Sequence, residues 1–558
     1  MHIFAISGLH IALIAGILVA LLRVLQTPRS LCGWVVVPLI WFYTAATGWQ
    51  PSAIRSTIMM TIVIVGWALR RPGDLVNSLA ASAFVILIWE PRQLFQASFQ
   101  LSFFVVLSIA LLMPPLEKLT DRLLEPDPFL PAQLIPRWRR WSATQVRRLS
   151  LSLATSLAAG LGALPIIAWY FHLVTPVSLA ANMVIVPLSG VALMSNLGSL
   201  GCGPWSSTLT GLFNHAAWFC MVCMVRFSEW ATTLPGAYFN VRPPGPVTFV
   251  IYYALLLGLF SGWLLEPSRR RWAVGLCGAL TMTLVINWLV ARQETRITIL
   301  ALHGGAAQFI DSNGRHFPML VDCGSESDAG FAVKPFLAAQ GVNHLPCMLL
   351  THGDLRHVGG VAIVTNNFSV QQIATSPIPS RSPVYRRILS GLERAPARWR
   401  RIQRGDKFGD WSVLHPTPTN RLSQADDNSV VLRGEPCGVR VLLLGDLGKA
   451  GQSALLNQHA DLRADVAVSC LPSVGEPLGE ALLDAIQPRA IIVNDAAYPA
   501  NELAREPLRE RLARRAVPVI YTSDAGTATL RLKSGHWDIR TMDGPRSTGE
   551  AAPGASQP

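Results

Sequence analysis

Charge is scarce in this chain. Only 15% of its 558 residues are Asp, Glu, Lys or Arg, against 51% hydrophobic residues, a balance that a soluble protein of this size seldom shows. Carboxylates are the scarcer sign: 34 of them against 47 Lys and Arg leave a formal net charge of +13 and a pI near 9.7. There is no basic leader and no small-residue cleavage site around Met1, so a removable signal peptide is not expected. The chain starts inside what reads as a membrane span, and an upstream portion is expected to be missing from this reading frame. The nine cysteines show no zinc-ribbon spacing. Cys220 and Cys223, one helical turn apart in an apolar run, read as packing residues, whereas a disulfide among Cys323, Cys347, Cys437 and Cys470 is open outside the cytoplasm.

What is present is a series of apolar runs. A span needs roughly 20 apolar residues to cross a hydrocarbon core about 30 Å thick. Ten runs are candidates: 3–25, 31–48, 53–70, 75–89, 97–114, 151–171, 174–200, 207–226, 247–265 and 272–291, with 31–48 and 75–89 the shortest for the task. Arg23 and Arg29, Arg70 and Arg71, the cluster at 137–148, and Arg269 to Arg271 all follow odd-numbered spans. Those ends are expected in the cytoplasm, and an even span count then places everything after residue 295 outside it. The 137–148 cluster interleaves Arg137, Arg139, Arg140, Arg147 and Arg148 with Trp138 and Trp141. It reads as a cytoplasmic loop with interfacial tryptophans, or alternatively as a groove for a nucleic-acid backbone.

Polar side chains within spans are costly and therefore informative. Ser7 and His10 head the first span; Arg55 follows the helix breaker Pro51; Gln100 lies between Ser98 and Ser102; Asn182 precedes Pro187. A lone His such as His10 is most simply a packed residue with one satisfied hydrogen bond, and Arg55 either snorkels or faces water. Together with helix breaks at Pro51 and Pro187, these residues suggest a polar pathway.

The segments Phe4-Ala5-Ile6-Ser7-Gly8-Leu9-His10-Ile11, Pro51-Ser52-Ala53-Ile54-Arg55, Ser98-Phe99-Gln100-Leu101-Ser102-Phe103 and Ala181-Asn182-Met183-Val184-Ile185-Val186-Pro187 resemble, in this order, motifs of the ComEC-type DNA uptake channels of bacteria. The resemblance covers about residues 1–290. It implies a multi-pass channel in the bacterial inner membrane that passes single-stranded DNA into the cytoplasm during transformation, with a DNA receptor protein and a cytoplasmic motor as partners alongside membrane lipid. The N-terminal OB-like domain usual in that family is not found here. Oligomeric state is not readable.

After residue 293 the pattern changes. Strands are expected at 296–302, 317–322, 348–351, 429–433, 439–445, 466–469, 490–494 and 518–521, with helices at 480–486 and 501–514, an alternation typical of layered α/β domains. The run Thr351-His352-Gly353-Asp354-Leu355-Arg356-His357 ends one strand, and Asp446 follows another. His352, Asp354, His357 and Asp446 offer the nitrogen and oxygen ligands that zinc or manganese accepts. The pattern resembles the metallo-β-lactamase fold that follows the channel in ComEC-type proteins, where two metal ions imply hydrolysis of DNA. The expected architecture is thus a polytopic α-helical membrane domain (1–293), an α/β metallo-β-lactamase-like (αββα) domain (294–540) and a disordered tail (541–558).

Three departures from that resemblance matter. The second carboxylate of His-x-Asp-x-Asp-His is Arg356, a fixed cation that cannot become a ligand. Two like unit charges about 4 Å apart repel by about 4 kcal/mol at an effective dielectric near 20, and a divalent ion doubles this. Cys470-Leu471-Pro472-Ser473-Val474-Gly475 stands where a His-His-Gly-Ser segment is expected, and Gly304-Gly305-Ala306-Ala307 where Gly-Gln-Gly-Asp is expected. A non-catalytic domain without bound cofactor is therefore expected, with His352 and His357 as surface-loop residues or supporting residues behind a lost site, Asp446 capping a turn and Arg356 pairing with Asp354; a residual site for zinc or manganese is the alternative. The arginines from Arg381 to Arg404 read as a solvated basic face or a DNA contact. The rival functions are a membrane-anchored, metal-dependent phosphodiesterase or nuclease, and a scaffolding remnant.

Overall fold

The computed structural model describes residues 8–71, 74–124, 136–264, 266–312, 318–418, 421–458, 461–544 and 546–552. Ser7, one of the candidate residues, lies outside them. So do the side chains of Arg137, Arg139 and Arg140. The chain divides into two compact units, Met1–Thr281 and Met282–Pro558.

Each apolar run becomes a helix: α1 (Gly8–Val24), α2 (Arg29–Ala46), α3 (Pro51–Ala68), α4 (Leu75–Trp89), α5 (Ala97–Leu124), α6 (Arg137–Phe171), α7 (Ser178–Cys202), α8 (Ser207–Thr233), α9 (Pro246–Phe260) and α10 (Arg270–Ala291). Among the described residues seven are long and apolar enough to span a membrane, α2 among them; α1, α4 and α9 are shorter apolar helices. Large side chains such as Trp34, Phe42, Phe84 and Trp89 stand exposed, as lipid-facing residues do.

Two expectations need correction. The arginine cluster at 137–148 is no loop: it forms the first turns of α6, because arginine and tryptophan tolerate helix and nothing in the run breaks it. Nor does Pro187 break α7, which continues from Ser178 to Cys202 around it. A proline inside a span frees the carbonyl four residues earlier. In α6, Pro165 frees Leu161 O, and the Tyr252 hydroxyl donates to it at 2.9 Å while Tyr253 donates to Gly162 O at 2.7 Å.

The two-residue strands β1 (Leu173–Val174) and β2 (Phe239–Asn240) pair within the helical unit. The second unit holds β3 (Thr295–Ile299), β4 (Gln308–Asp311), β5 (Met319–Val321), β6 (His344–Leu350), β7 (Ser369–Thr375), β8 (Trp399–Arg401), β9 (Lys407–Phe408), β10 (Trp411–His415), β11 (Val431–Gly434), β12 (Val441–Leu443), β13 (Val466–Cys470), β14 (Ala490–Asn494), β15 (Val519–Tyr521), β16 (Ala528–Lys533), β17 (His536–Thr541) and β18 (Ser547–Glu550). They form a nine-stranded sheet, β18-β17-β16-β3-β4-β5-β6-β7-β8, and a seven-stranded sheet, β15-β14-β13-β12-β11-β10-β9. Strands β5 to β8 and β12 to β15 are parallel; the others are antiparallel.

Strand alternation sorts the core into layers. Val441, Leu443, Val466 and Val468 meet Ile297, Ile299 and Leu349 between the sheets. Leu442, Ala467 and Ile491 pack outward on Leu455, Leu483 and Leu512, and Leu320, Met348 and Leu350 pack on Leu337, Val358 and Val364. Helices therefore cover both outer faces, giving the expected αββα sandwich. The tail is not wholly disordered: β18 pairs with β17 in the register His536 to Glu550, and Arg546 binds Asp538 at 2.7 and 3.0 Å. Residues 553–558 lie outside the described residues.

Candidate metal centre and membrane motif cluster

Within the helical unit, three of the four motif segments meet near the start of α3. A Cβ on Gly8 would lie 2.6 Å from Ser56 Oγ, so glycine permits the close approach of α1. The neighbouring Arg55 is 2% exposed, and its Nη1 donates to Gln93 Oε1 at 3.4 Å, on the 3-10 turn Pro91–Phe95. Gln100 Nε2 donates to Leu94 O of the same turn at 2.9 Å. The buried Arg55 does not snorkel. Asn182, half-buried, and Pro187, exposed, lie on α7, and His10 lies half-buried on α1.

In the second unit the parallel strands end together, and their following loops carry the polar site. Asp322 follows β5 with φ +56°, a left-handed conformation that aspartate tolerates better than most side chains. Its Oδ1 accepts the Thr351 N–H at 2.8 Å, and its Oδ2 accepts the Thr351 hydroxyl at 2.6 Å and faces His357 Nδ1 at 2.8 Å. His352 Nδ1 lies 3.1 Å from Thr351 Oγ1. Both imidazoles are thus held by their Nδ1 atoms, which turns their Nε2 atoms toward Asp446. Asp446 Oδ2 is 2.9 Å from His357 Nε2 and 3.5 Å from His352 Nε2, and Asp426 Oδ1 is 3.6 Å from His352 Nε2. Gly445, at φ +59°, makes the turn that aims Asp446 inward.

His352 and His357 are each 3% exposed and Asp446 1%, so they are neither surface-loop residues nor a turn cap. Two ligand groupings share His352: one with His357 and Asp446, the other with Asp354 and Asp426, the candidate atoms of each lying within 4.8 Å of one another. His352 Nε2 and Asp446 Oδ1 are buried without a hydrogen-bond partner, and Asp446 Oδ2 has the His357 ring nitrogen at 2.9 Å. Leaving such atoms unsatisfied costs several kcal/mol in all, and a divalent cation at their centre would remove that cost. Imidazoles oriented through Nδ1 by an acid and a hydroxyl are the usual supports of metal ligands. The residues present therefore fit one cation. Burial opposes charge on Asp446, yet His357 and His352 hold its carboxyl down at about 2; burial would lower His357, but Asp446 and Asp322 push it well above its ordinary value.

A second cation does not fit. Arg356 occupies the carboxylate position, and its guanidinium pairs with Glu502, lies 3.4 Å from Asp354 and donates to Ser473 Oγ at 2.7 Å. The Arg356–Asp354 contact is as expected. Asp354 caps the short helix Leu355–Val358; burial opposes its charge, while the Arg356 amide and guanidinium hold its carboxyl below the usual range. At the missing histidine, Cys470 is buried, and burial beside Asp446 and Asp322 pushes its thiol well above the ordinary value, with Asn494 and Gln308 donating to its sulfur at 3.8 and 4.0 Å. None of Cys323, Cys347, Cys437 and Cys470 is disulfide-bonded. A Cβ on Gly305 would overlap the Arg356 carbonyl oxygen, so the Gly304-Gly305 segment lies directly on this loop. The cavity lined by Gly304, Gly305, His357, Cys470, Asn494 and Glu502 is only about 10 Å³, room for about one water.

Sequence reasoning missed Asp322, Asp426 and Glu502. Asp322 carried one readable signal, an acid placed directly after a buried strand as His352 nearly is; Asp426 and Glu502 carried none, because only the fold brings them in.

The family described as Competence protein matches residues 1–266, and the Metallo-beta-lactamase superfamily matches residues 306–420. ComE operon protein 3 of Bacillus subtilis is 24% identical over 96% of this chain and 68% of its own length. Competence protein ComA of Neisseria gonorrhoeae is 23% identical over 96% of this chain and 71% of its own. Among solved structures, a metallo hydrolase from Ignicoccus hospitalis aligns with 42% of this chain and 98% of its own at a TM-score of 0.30 and 13% identity. The chain carries a competence domain followed by a metallo-β-lactamase domain, is homologous to ComE operon protein 3 and ComA, and holds several helices long and apolar enough to cross a membrane.

Proposed function

We propose that this chain passes single-stranded DNA across the bacterial inner membrane, and that its metallo-β-lactamase domain, outside the cytoplasm, is not a two-metal nuclease. Arg356 carries this reading. Paired to Glu502, Asp354 and Ser473, its guanidinium takes the place where a second cation would need an anion. The cavity beside it is only about 10 Å³, room for about one water. A single divalent ion would be held by His352, His357 and Asp446, or by His352, Asp354 and Asp426, and when bound would supply Lewis acidity toward one oxygen ligand. Asp322 and Thr351 fix the imidazoles whether or not the ion is present. In the membrane, the buried Arg55 and the half-buried Gln100 meet on one turn and place a polar, cationic cluster among the spans, toward which a phosphate backbone would be drawn. A receptor delivering DNA and a cytoplasmic motor are the partners this role requires.

Uptake of labelled DNA by a strain deleted for the gene and complemented with variants tests the reading. Arg55→Ala is expected to abolish uptake, whereas His352→Ala and Asp446→Ala are expected to retain it. The reverse pattern would refute it. The unpartnered His352 and Asp446 atoms favour a second reading, a one-metal phosphodiesterase anchored by its spans, which predicts metal-dependent cleavage of DNA by the purified chain.

A further inference from the structure

A second cavity, of about 480 Å³, opens in the metallo-β-lactamase domain at the opposite ends of the parallel strands from the His/Asp cluster. Its walls include Met319 at the start of β5, Pro346 and Cys347 of β6, and Gln371 and Gln372 of β7. Here the chain leaves β8, the edge of the nine-stranded sheet, and enters β9, the edge of the seven-stranded sheet. Arg400 of β8, Lys407 and Phe408 of β9, and Trp411 complete the wall, and among the described residues no carboxylate lines it. The volume falls within the roughly 300–1,000 Å³ of ligand pockets. Burial pushes the Cys347 thiol up to about 11, so no thiolate opposes an anion there.

The surrounding charge is one-sided. From Arg381 to Lys407 there are eight arginines and one lysine against Glu393 and Asp406. Among the described residues none of these nine cations pairs with a carboxylate. Arginines elsewhere in the same domain do: Arg433 with Asp461, Arg509 with Asp524, Arg546 with Asp538. Instead, Arg400 stacks over Phe408 and Arg401 over Trp399, each at 4.3 Å from the ring centroid. Cations on edge strands discourage sheet-to-sheet pairing. That role accounts for outward-pointing arginines, but not for a cavity between the sheets walled by cations, amides and aromatic rings. Arg398 and Arg404 donate to the backbone carbonyls of Val370 and Gln458, which orients them without neutralising their charge. Cations without carboxylate partners beside aromatic faces are what a single-stranded polynucleotide requires: charge for phosphates and flat surfaces for bases.

We propose that this edge cleft binds single-stranded DNA, seating one nucleotide among Arg400, Lys407 and Phe408 while Arg398, Arg401 and Arg404 take the flanking phosphates. The site is separate from the metal centre. The choice of DNA rests on the uptake reading; the cleft itself rests on the cavity and its cations.

The test uses the full chain in zwitterionic nanodiscs and a twelve-residue oligothymidylate carrying bromodeoxyuridine, crosslinked by light and mapped by mass spectrometry. Adducts within residues 399–411 are expected. Their yield against oligonucleotide concentration gives the affinity of this site alone. In Arg400→Glu/Lys407→Glu that affinity should fall at least about tenfold, and its logarithmic salt slope should shrink by about 1.4, or about 0.7 per lost phosphate contact. Adducts in the wild type confined to other residues would overturn the proposal, even if the double variant misfolds. So would an unchanged adduct in the variant together with lost binding to phosphatidylglycerol vesicles, which would make the patch a lipid contact. If gene deletion leaves uptake intact while the adduct still maps to 399–411, the uptake reading fails and the cleft stands.

Discussion

Replacing Arg356 by alanine isolates the interaction on which the reading of the metal centre turns. The guanidinium is 24% exposed, Glu502 9% and Asp354 25%, so the cluster is largely but not wholly shielded from water. Removing one partner of a fully buried ion pair costs about 3–5 kcal/mol, because the other charge is stranded. The partial exposure brings the expected cost down to about 2–3 kcal/mol. Most of this falls on Glu502, whose remaining side-chain partner is the Asn501 amide at 3.2 Å. Hydrogen exchange on the full chain in nanodiscs reads it locally, at peptides spanning 352–358 and 496–504. A loss of 2–3 kcal/mol corresponds to exchange roughly 30- to 150-fold faster, at tenfold per 1.4 kcal/mol. In a Glu502→Gln background the stranded charge is gone, and Arg356→Ala should accelerate exchange less than about fivefold. Acceleration below about threefold in the wild-type background, or equal acceleration in both, would refute the argument that Arg356 is held as a neutralising cation.

Metal analysis of the purified chain after dialysis against zinc or manganese should find no more than one tightly held ion, and none in His352→Ala/Asp446→Ala; two ions in the wild type would contradict the site geometry. Introducing an anion with Arg356→Asp should weaken the barrier to a second ion and make thermal stability rise with zinc concentration, by about 2.7 kcal/mol at one hundred times the dissociation constant. His415 is buried, its Nε2 donates to Asp427 O at 2.9 Å and its Nδ1 has no partner, so burial holds the ring below its ordinary value. The unfolded chain then binds this proton more readily than the folded one, so stability falls as pH drops through about 6.5; His415→Gln should flatten that slope in denaturation measured from pH 7 to 5. Gly305→Ala should cost about 1–3 kcal/mol by driving a methyl into the Arg356 carbonyl, again seen as faster exchange at 352–358.

The helical unit was largely legible because span formation depends on runs of apolar residues, which sequence displays directly; all ten runs are helices. Its errors lay where a helix carries atypical residues. The arginines of 137–148 suggested a loop and Pro187 a break, yet backbone helicity tolerates both when the next turns hold. In the sandwich, β13 and β14 and the helix Glu480–Ile486 fell where alternation and apolar runs put them. The metal centre was half legible. His352, Asp354, His357 and Asp446 announce themselves by residue type and by their positions after strands, but burial does not: a His-x-Asp run reads equally well as an exposed loop. That Glu502 reaches Arg356 and Asp426 reaches His352 depends on loops far apart in sequence, which no local pattern reports.

The tyrosine hydroxyls that donate to Leu161 O and Gly162 O fix the axial register between α6 and α9. In hydrocarbon there is no solvent to receive a released carbonyl, and each one left bare costs several kcal/mol. Sliding either helix along the other by one turn would strand the oxygen that Pro165 exposes. A rearrangement of the bundle that keeps these bonds would carry the two helices together as one rigid lever, with movement taken up elsewhere.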